Sequence, residues 1–310
     1  MASNQVEVKA GSVDPVELVK SAAIELIGTT FLIYFGGYAY ITAYNRVPEM
    51  EPFYDSAARQ NVPFGPYTHP FLGTKILNGT GTTPTYTDYQ KELMDDAGWE
   101  KGVRESLGAA FPTSVTVAAV LFVMTAIGGR ISGGHFNPVI SIAAIACQVG
   151  NIAINGVNIV AQILGSFLGA VILRVFLPNR MEHDGLGFPR MGYRIIQGKA
   201  FLVEIIITSI YASLYIYGRV AKKRWSTIAA WVALAQLGVG LGSFGFSQGC
   251  MNTARVLSPS ILSNDGSKYR KGIAHKGFWL FYLGPLLGAL IGGTLARYFF
   301  YADLAKKNLK

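Results

Sequence analysis

Charged side chains are scarce in this chain of 310 residues, since Asp, Glu, Lys and Arg together make up only 15% of it. An average soluble domain carries about 25%. Apolar residues reach 51%, and the mean hydropathy is +0.33. This composition excludes an ordinary soluble globular protein and is typical of a polytopic membrane protein, in which the 36 glycines would allow helices to approach each other closely in lipid.

Cysteines and catalytic sets are scarce as well. The two cysteines, Cys147 and Cys250, cannot build a disulfide framework, and we expect no metal site at them. Cys250 has two interpretations, a small packing residue or a thiol that borders a pore. The sequence contains no Ser/His/Asp or Cys/His set, phosphate loop or metal-ligand spacing. We therefore predict that the protein is not an enzyme and uses no cofactor or metal.

A net charge of +9 could indicate binding to nucleic acid. The basic residues, however, lie in short segments beside apolar stretches, as at Arg219–Arg224, which is what membrane topology requires. We therefore expect no nucleic-acid partner. The first 20 residues mix acidic and basic side chains without an apolar core. No cleavable signal is expected, and the first apolar stretch would act as the insertion signal.

Six apolar stretches are long enough to cross a bilayer, which takes about 20 residues. They predict an all-α integral membrane protein surrounded by lipid, although the sequence does not identify which membrane. Gly284, Gly288 and Gly292 in the last stretch have the spacing of a helix-packing face. The stretches lie at about 16–44, 106–127, 152–176, 201–217, 228–246 and 278–300.

Two shorter apolar segments follow polar, glycine-rich turns. One is Ile140–Gln148 and the other ends near Leu262, and both are too short to span a bilayer. Asn137 and Asn252 can cap helices at their starts, and Pro138 suits a first helical position. A short helix that begins inside a membrane points its positive N-terminus into a cavity. Two of them in corresponding places predict a pore or site near the membrane midplane.

At these turns the chain resembles the major intrinsic protein family, the aquaporins and aquaglyceroporins. The family motif is Asn-Pro-Ala, twice, and here the boxes read Asn137-Pro138-Val139 and Asn252-Thr253-Ala254. Ser-Gly-Gly-His-Phe precedes the first box, and Arg255 follows the second. The resemblance covers about residues 24–300. It implies six transmembrane helices plus two inward half-helices, arranged as an inverted 3+3 repeat.

The residues themselves also indicate a duplication. Glu25 lies 112 positions before Asn137, and Glu204 lies 48 before Asn252. The difference of 64 is close to the size of an insertion at 46–101, in which at most a short helix near Tyr89–Ala97 is expected. We also interpret Gln162–Gly165 and Leu283–Leu286 as repeat-related positions. The predicted organisation is an N-terminal tail (1–15), a first aquaporin-type repeat (16–177) that holds the inserted loop 46–101, a connecting loop (178–200), a second repeat (201–301) and a C-terminal tail (302–310).

The resemblance implies a passive channel that excludes ions and protons. Asn137 and Asn252 would offer amide donors where the half-helices meet. Arg255 would add a fixed positive charge at the constriction, because a guanidinium stays protonated; the alternative is an ordinary loop arginine. Glu25 and Glu204 would brace the inserted loops, with proton or ion handling as the alternative for Glu25. His135 is expected to brace the loop rather than line the path.

Counting from the boxes places Val117, Gly240 and Gly249 at the other filter positions. None of them is aromatic, so a wide constriction is expected, which favours glycerol, urea, ammonia or peroxide besides water. The glycerol branch of the family usually has an aspartate after the pore arginine. Val256 stands there instead and argues against that branch, so the solute stays open.

Departures within the boxes leave a second hypothesis. Val139 is bulkier than Ala, and Thr253 lacks a proline ring, so the junction could shift and conduct poorly. The alternative is a structural or interaction protein whose loop 46–101 binds a partner, although this loop could also be passive. The resemblance further implies a homotetramer with both termini in the cytoplasm. Basic loops are nearly balanced between the two sides, so the orientation rests on the resemblance alone.

Overall fold

The structure, a computed structural model, describes residues 13–44, 88–177, 185–192, 195–262 and 277–301. Within these ranges the chain forms helices and loops and no strand. The expectations for the two terminal tails, for residues 45–87 of the inserted loop and for part of the connecting loop fall outside the described residues.

Helices make up most of the described part of the chain. The two shortest are nine residues each and are the predicted half-helices, α3 and α7. In the described part of the chain the order is α1 Pro15–Tyr44, α2 Asp88–Gly128, α3 Pro138–Ala146, α4 Ile152–Phe176, α5 Gln197–Val220, α6 Trp225–Ser247, α7 Ala254–Leu262 and α8 Leu280–Thr294, which continues as a π-helical segment, Leu295–Phe300.

Six of these helices are long and apolar enough to cross a membrane. They are α1, the Gly108–Gly128 part of α2, α4, α5, α6 and α8 with its π-helical continuation. Many of their large apolar side chains are exposed on the outer surface, as expected where the solvent is lipid. The protein is therefore an all-α integral membrane protein with six spanning helices and two half-helices, as predicted.

The second spanning helix begins earlier than expected. A loop was predicted up to Lys101 with at most a short helix near Tyr89–Ala97, but α2 is continuous from Asp88 and is 41 residues long. Its sequence before Gly108 includes several Glu, Lys and Leu residues, which are good helix formers, and the first proline inside it is Pro112. Because these residues are polar, a search for apolar periodicity does not find this part of the helix.

Glycines bring the helices of each half into contact through their backbones. A Cβ atom on Gly165 would overlap the carbonyl oxygen of Leu26, and one on Gly288 would overlap that of Ile205. The same carbonyl-to-glycine contact therefore joins α1 to α4 and α5 to α8. Such close approach between helices is possible only with small residues.

The hydrogen bonds between these helices show the same internal symmetry as the glycine contacts. Thr30 Oγ1 donates to the carbonyl of Gly165 at 3.1 Å, and Ser209 Oγ donates to the carbonyl of Gly288 at 3.0 Å. Gly165 therefore corresponds to Gly288, and the predicted pairing of 162–165 with 283–286 is wrong by two positions. In the correct register Gln162 corresponds to Pro285.

The half-helices pack between the two halves. α3 contacts α4 of its own half and α8 of the other, and α7 contacts α4 of the other half. Arg174 at the end of α4 donates from Nη1 to the carbonyl of Leu262 at 3.1 Å, which places a cation at the C-terminus of α7. Each half-helix is therefore held in part by helices from the other half.

We expect Gly292→Ala to destabilise the protein. A Cβ atom there would overlap the carbonyl of Ser209 on α5, and overpacking of this kind costs about 1–3 kcal/mol. Thermal unfolding of the purified protein in detergent measures the loss. Gly238→Ala is the matched control, because a Cβ atom at Gly238 meets nothing within 4 Å. Equal melting temperatures for the two variants would contradict the packing argument.

Candidate functional site

The tips of the two half-helices meet through their asparagines. Asn137 Nδ2 donates to the carbonyl of Met251 at 2.8 Å, and Asn252 Nδ2 donates to the carbonyl of Phe136 at 2.9 Å. Each amide thus bonds to the residue that precedes the other asparagine. An amide nitrogen carries two N–H groups, so each asparagine keeps one for another acceptor.

The same asparagines cap the half-helices, as predicted. Asn137 Oδ1 accepts from Val139 N at 3.2 Å, and Asn252 Oδ1 accepts from Ala254 N at 2.9 Å. Pro138 occupies the first turn of α3, where a missing N–H leaves no bond unmade. Each asparagine therefore caps the N-terminus of its own half-helix and bonds to the residue that precedes the other asparagine.

Residues before both tips adopt the left-handed backbone conformation. Phe136 has φ 48° and Met251 has φ 49°, and neither is a glycine, so each costs about 1–2 kcal/mol of local strain. This conformation is compensated by hydrogen bonds from the surrounding helices. It turns the carbonyls of both residues towards the opposite asparagine.

Glu25 on α1 accepts hydrogen bonds from the first inserted loop. Its Oε1 accepts from Ser132 Oγ at 2.6 Å and from His135 N at 2.9 Å. Its Oε2 accepts from Phe136 N at 2.6 Å and from Gln162 Nε2 at 2.8 Å. The carboxylate is fully buried, so these donors replace the water that it loses. This geometry fits a bracing role for Glu25.

Glu204 on α5 does the same for the second loop with fewer donors. Its Oε1 accepts from Cys250 N at 3.0 Å, and its Oε2 accepts from Met251 N at 2.9 Å. Pro285 stands where the first half has Gln162 and cannot donate a side-chain bond. The two carboxylates are therefore equivalent in position but not in their hydrogen bonding.

Arg255 lies against the loop that precedes α7. Its Nη1 donates to the carbonyls of Gln248 at 3.1 Å and Gly249 at 3.4 Å. Gln248 is itself held, because its Nε2 donates to Tyr40 Oη at 3.0 Å. The Nη2 group of Arg255 has no hydrogen-bond partner among the described residues, which leaves a donor for another molecule.

A narrow cavity of about 30 Å³ runs past both tips. A water molecule needs roughly 10–15 Å³ measured in this way, so about two waters fit. The predicted residues that line it are Asn137, Asn252, Arg255, Val117, His135 and Cys250. Val117 is therefore one of the predicted filter residues that border the cavity.

His135 and Cys250 each combine the two roles considered for them. His135 braces the loop, because its Nδ1 lies 2.8 Å from Ser141 Oγ, yet its side chain also lines the cavity. Cys250 is 2% exposed and packs in the core, and it too lines the cavity.

Gly240 and Gly249, the other two predicted filter residues, are not among the residues that line the cavity, but they contact each other. A Cβ atom on Gly249 would lie 2.9 Å from Gly240 Cα. A Cβ atom on Gly240 would lie 3.2 Å from Ser114 Oγ and 3.5 Å from Gln236 Nε2. The loop before α7 can approach α6 because both positions lack a side chain, and this absence leaves Gln236 uncovered.

Several polar residues of the site were not predicted. Gln162 and Asn158 on α4 bond to the first loop: Asn158 Nδ2 donates to the carbonyl of Ser132 at 3.0 Å. Tyr211 and Gln236 line the cavity. A sequence signal existed, because polar side chains within membrane spans are rare and mark sites by default.

The two box departures do not separate the tips. Val139 is 2% exposed and packs in the core, and Thr253 is half-buried beside Asn252. Both asparagines keep their crossed hydrogen bonds. Within the described residues no cluster of three or more His, Cys, Asp or Glu side chains could hold a metal ion.

Comparison with known proteins assigns the chain to a family. The family model "Major intrinsic protein" matches residues 12–296. Aquaporin-4 of Mus musculus is 29% identical over 246 residues, which cover 77% of this chain and 69% of that protein. Aquaporin A of Dictyostelium discoideum is 35% identical over 173 residues, which cover 54% of this chain and 58% of that protein. The chain thus spans between half and about two thirds of the length of these relatives.

A solved structure has the same fold. The X-ray structure of the aquaglyceroporin from Plasmodium falciparum superposes with a TM-score of 0.64 over 94% of this chain and 99% of that one. The sequence identity is 16%, so the similarity concerns the fold alone.

We expect Glu25→Gln to lower stability and yield more than it alters selectivity. A glutamine amide points N–H groups at donors that now bond to a carboxylate, and an unsatisfied buried donor costs about 1–3 kcal/mol. Thermal unfolding in detergent measures the change. Glu204→Gln is the matched control and should lose less, since fewer donors face it. Unchanged stability together with a raised proton leak in liposomes would show proton handling instead.

Proposed function

We propose that this chain, which belongs to the major intrinsic protein family, conducts along a path that runs between the tips of α3 and α7, past Asn137, Asn252 and Arg255. As a member of that family it is a passive membrane channel of the class that conducts water and small solutes. One observation carries this proposal: both asparagine amides and the arginine border the same narrow cavity.

Water would pass by exchanging its hydrogen bonds for those of the path. The free N–H groups of Asn137 and Asn252 can donate to a water oxygen as it passes between the tips. The N-termini of α3 and α7 add positive potential at the same point. A water molecule held by its oxygen cannot accept a proton there, which opposes conduction of protons along the file.

Cations would be repelled by the same features and by Arg255. Its guanidinium is held beside the cavity by the carbonyls of Gln248 and Gly249. In a site so poorly supplied with water, a fixed charge acts strongly on a nearby cation. Neutral molecules carry no such penalty, so the selectivity that we propose is for water and small neutral solutes such as glycerol, urea, ammonia or peroxide.

We also propose that the protein is a homotetramer with one path in each subunit. The many exposed apolar side chains on the spanning helices would face lipid or a neighbouring copy. The molar mass of the detergent-solubilised protein, measured by light scattering, tests this state. A mass of one subunit would overturn it.

The insertion at 46–101 would contact a protein partner. This proposal is supported by α2, which begins at Asp88, well before its membrane-crossing part at Gly108. Residues 88–107 would form this contact together with 46–87. Deletion of 46–87 should then abolish co-purification of a partner while leaving flux intact.

Reconstituted protein should shrink liposomes faster than empty liposomes under gradients of water and of small solutes. Arg255→Val should keep water flux but let cations leak, because the fixed charge at the constriction is lost. Arg130→Val is the matched control, since Arg130 is an exposed loop residue away from the cavity. Rates equal to those of empty liposomes for every solute would favour the non-conducting interaction protein.

A further inference from the structure

Gln248 ends α6 in a backbone conformation that glutamine rarely adopts. It caps the C-terminus of that helix with φ 56° and ψ 24°, in the left-handed region where a helix usually ends on glycine and sometimes on asparagine. The next residue, Gly249, has φ 54°, which glycine adopts without strain. Glutamine is strained there, and such strain persists only where surrounding contacts hold the residue in place.

The side chain of Gln248 makes contacts of this kind. It is 6% exposed, and its amide bonds to two distant parts of the chain. Its Nε2 donates to Tyr40 Oη on α1 at 3.0 Å. Its Oε1 accepts from Arg190 N, in the segment 185–192 of the connecting loop, at 3.1 Å. One side chain therefore joins the loop before α7 both to a spanning helix and to the connecting loop.

The main chain of Gln248 contacts the arginine of the proposed path. Its carbonyl accepts from Arg255 Nη1 at 3.1 Å, and the carbonyl of Gly249 is a longer second acceptor at 3.4 Å. Both acceptors belong to residues in the left-handed conformation. The position of the guanidinium therefore depends on the backbone at 248 and 249, and the Gln248 amide anchors that backbone.

The first half of the chain has no side chain at the corresponding position. The two box asparagines are 115 positions apart, so Gln248 corresponds to Gly133. A Cβ atom on Gly133 would lie 2.9 Å from Arg219 Nη1 on α5, which leaves no room for a side chain. By the same spacing Arg255 corresponds to Ile140. The fold thus accepts glycine at this turn, and glutamine stands in the half that carries the arginine.

We propose that Gln248 is a positioning residue for selectivity, which fixes Arg255 at the cavity wall through its bonds to Tyr40 and to the connecting loop. The proposal rests on the channel function above and on the role given there to Arg255. Without the amide, the loop before α7 loses its ties to α1 and to the segment 185–192. The two carbonyls then no longer hold the guanidinium in one place, and its charge opposes passing cations less.

Gln248→Gly tests this role, because glycine keeps the left-handed backbone and the carbonyl but removes the amide. Proteoliposomes give the leak of protons, the smallest cation, relative to the water flux. Gln248→Gly should raise this ratio by about threefold to tenfold, the worth of one hydrogen bond. Tyr40→Phe removes one partner of the amide and should change the ratio in the same direction.

Matched controls exist for both variants. Gln148→Gly makes the same substitution at an exposed residue that is also left-handed, with φ 53°, two positions after α3. Tyr38→Phe makes the same change as Tyr40→Phe on α1, at a side chain that is 42% exposed. Neither residue lines the cavity, so both controls should keep the wild-type ratio of proton leak to water flux.

A second arm of the experiment shows whether Gln248 acts through the arginine. In an Arg255→Val background, adding Gln248→Gly should not raise the proton leak further, because no guanidinium remains to be positioned. Residues that act through one contact are not additive in this way. A purely structural role for Gln248 would instead add its own leak in that background.

The outcomes separate this inference from the channel function. Wild-type leak in Gln248→Gly and Tyr40→Phe, in a protein that conducts water and leaks as Arg255→Val, would overturn the positioning role and leave the channel intact. An additive leak in the Arg255→Val background would overturn it as well. No flux in the wild type, or no added leak in Arg255→Val, would overturn the proposed function itself. If Gln248→Gly does not fold, Tyr40→Phe decides alone, because it removes a single oxygen atom.

Discussion

Irregular backbone inside a membrane has no water to bond to, and the whole structure is arranged around that constraint. Two short helices begin at mid-membrane, so their lead-in loops carry N–H groups that need acceptors. Glu25 and Glu204 supply these acceptors to the loops, and the amides of Asn137 and Asn252 bond to the carbonyls that remain. Only once these groups are satisfied can the two tips stay together and border an open path.

The two halves share a framework but differ in the side chains that surround their inserted loops. The glycine contacts at Gly165 and Gly288 are equivalent, and the half-helices begin with the same cap. The first half holds its loop with more donors to its carboxylate, including Gln162. The second half has Pro285 at that position but carries Arg255 beside the cavity. The repeat thus supplies a symmetric scaffold, and side chains that differ between the halves give the first loop more hydrogen bonds and place an arginine beside the cavity in the second half.

Much of this arrangement could be predicted from local sequence. Apolar length predicts the spans, cap residues predict where α3 and α7 begin, and a carboxylate inside an apolar stretch predicts a bonded site at Glu25. Apolar periodicity in the sequence does not predict the start of α2 at Asp88, because the first part of this helix is polar. The repeat register and the presence of Tyr211 and Gln236 in the cavity wall depend on which helix face meets the cavity, and packing between distant segments decides that face.

The crossed bonds between the tips also bear on how the chain assembles during synthesis. Asn137 Nδ2 donates to the carbonyl of Met251, and the carbonyl of Phe136 accepts from Asn252 Nδ2. The ribosome makes the first half long before those later residues exist. The two crossed bonds can therefore form only after the second half has been made and inserted, while the bonds of the first loop to Glu25 need only the first half.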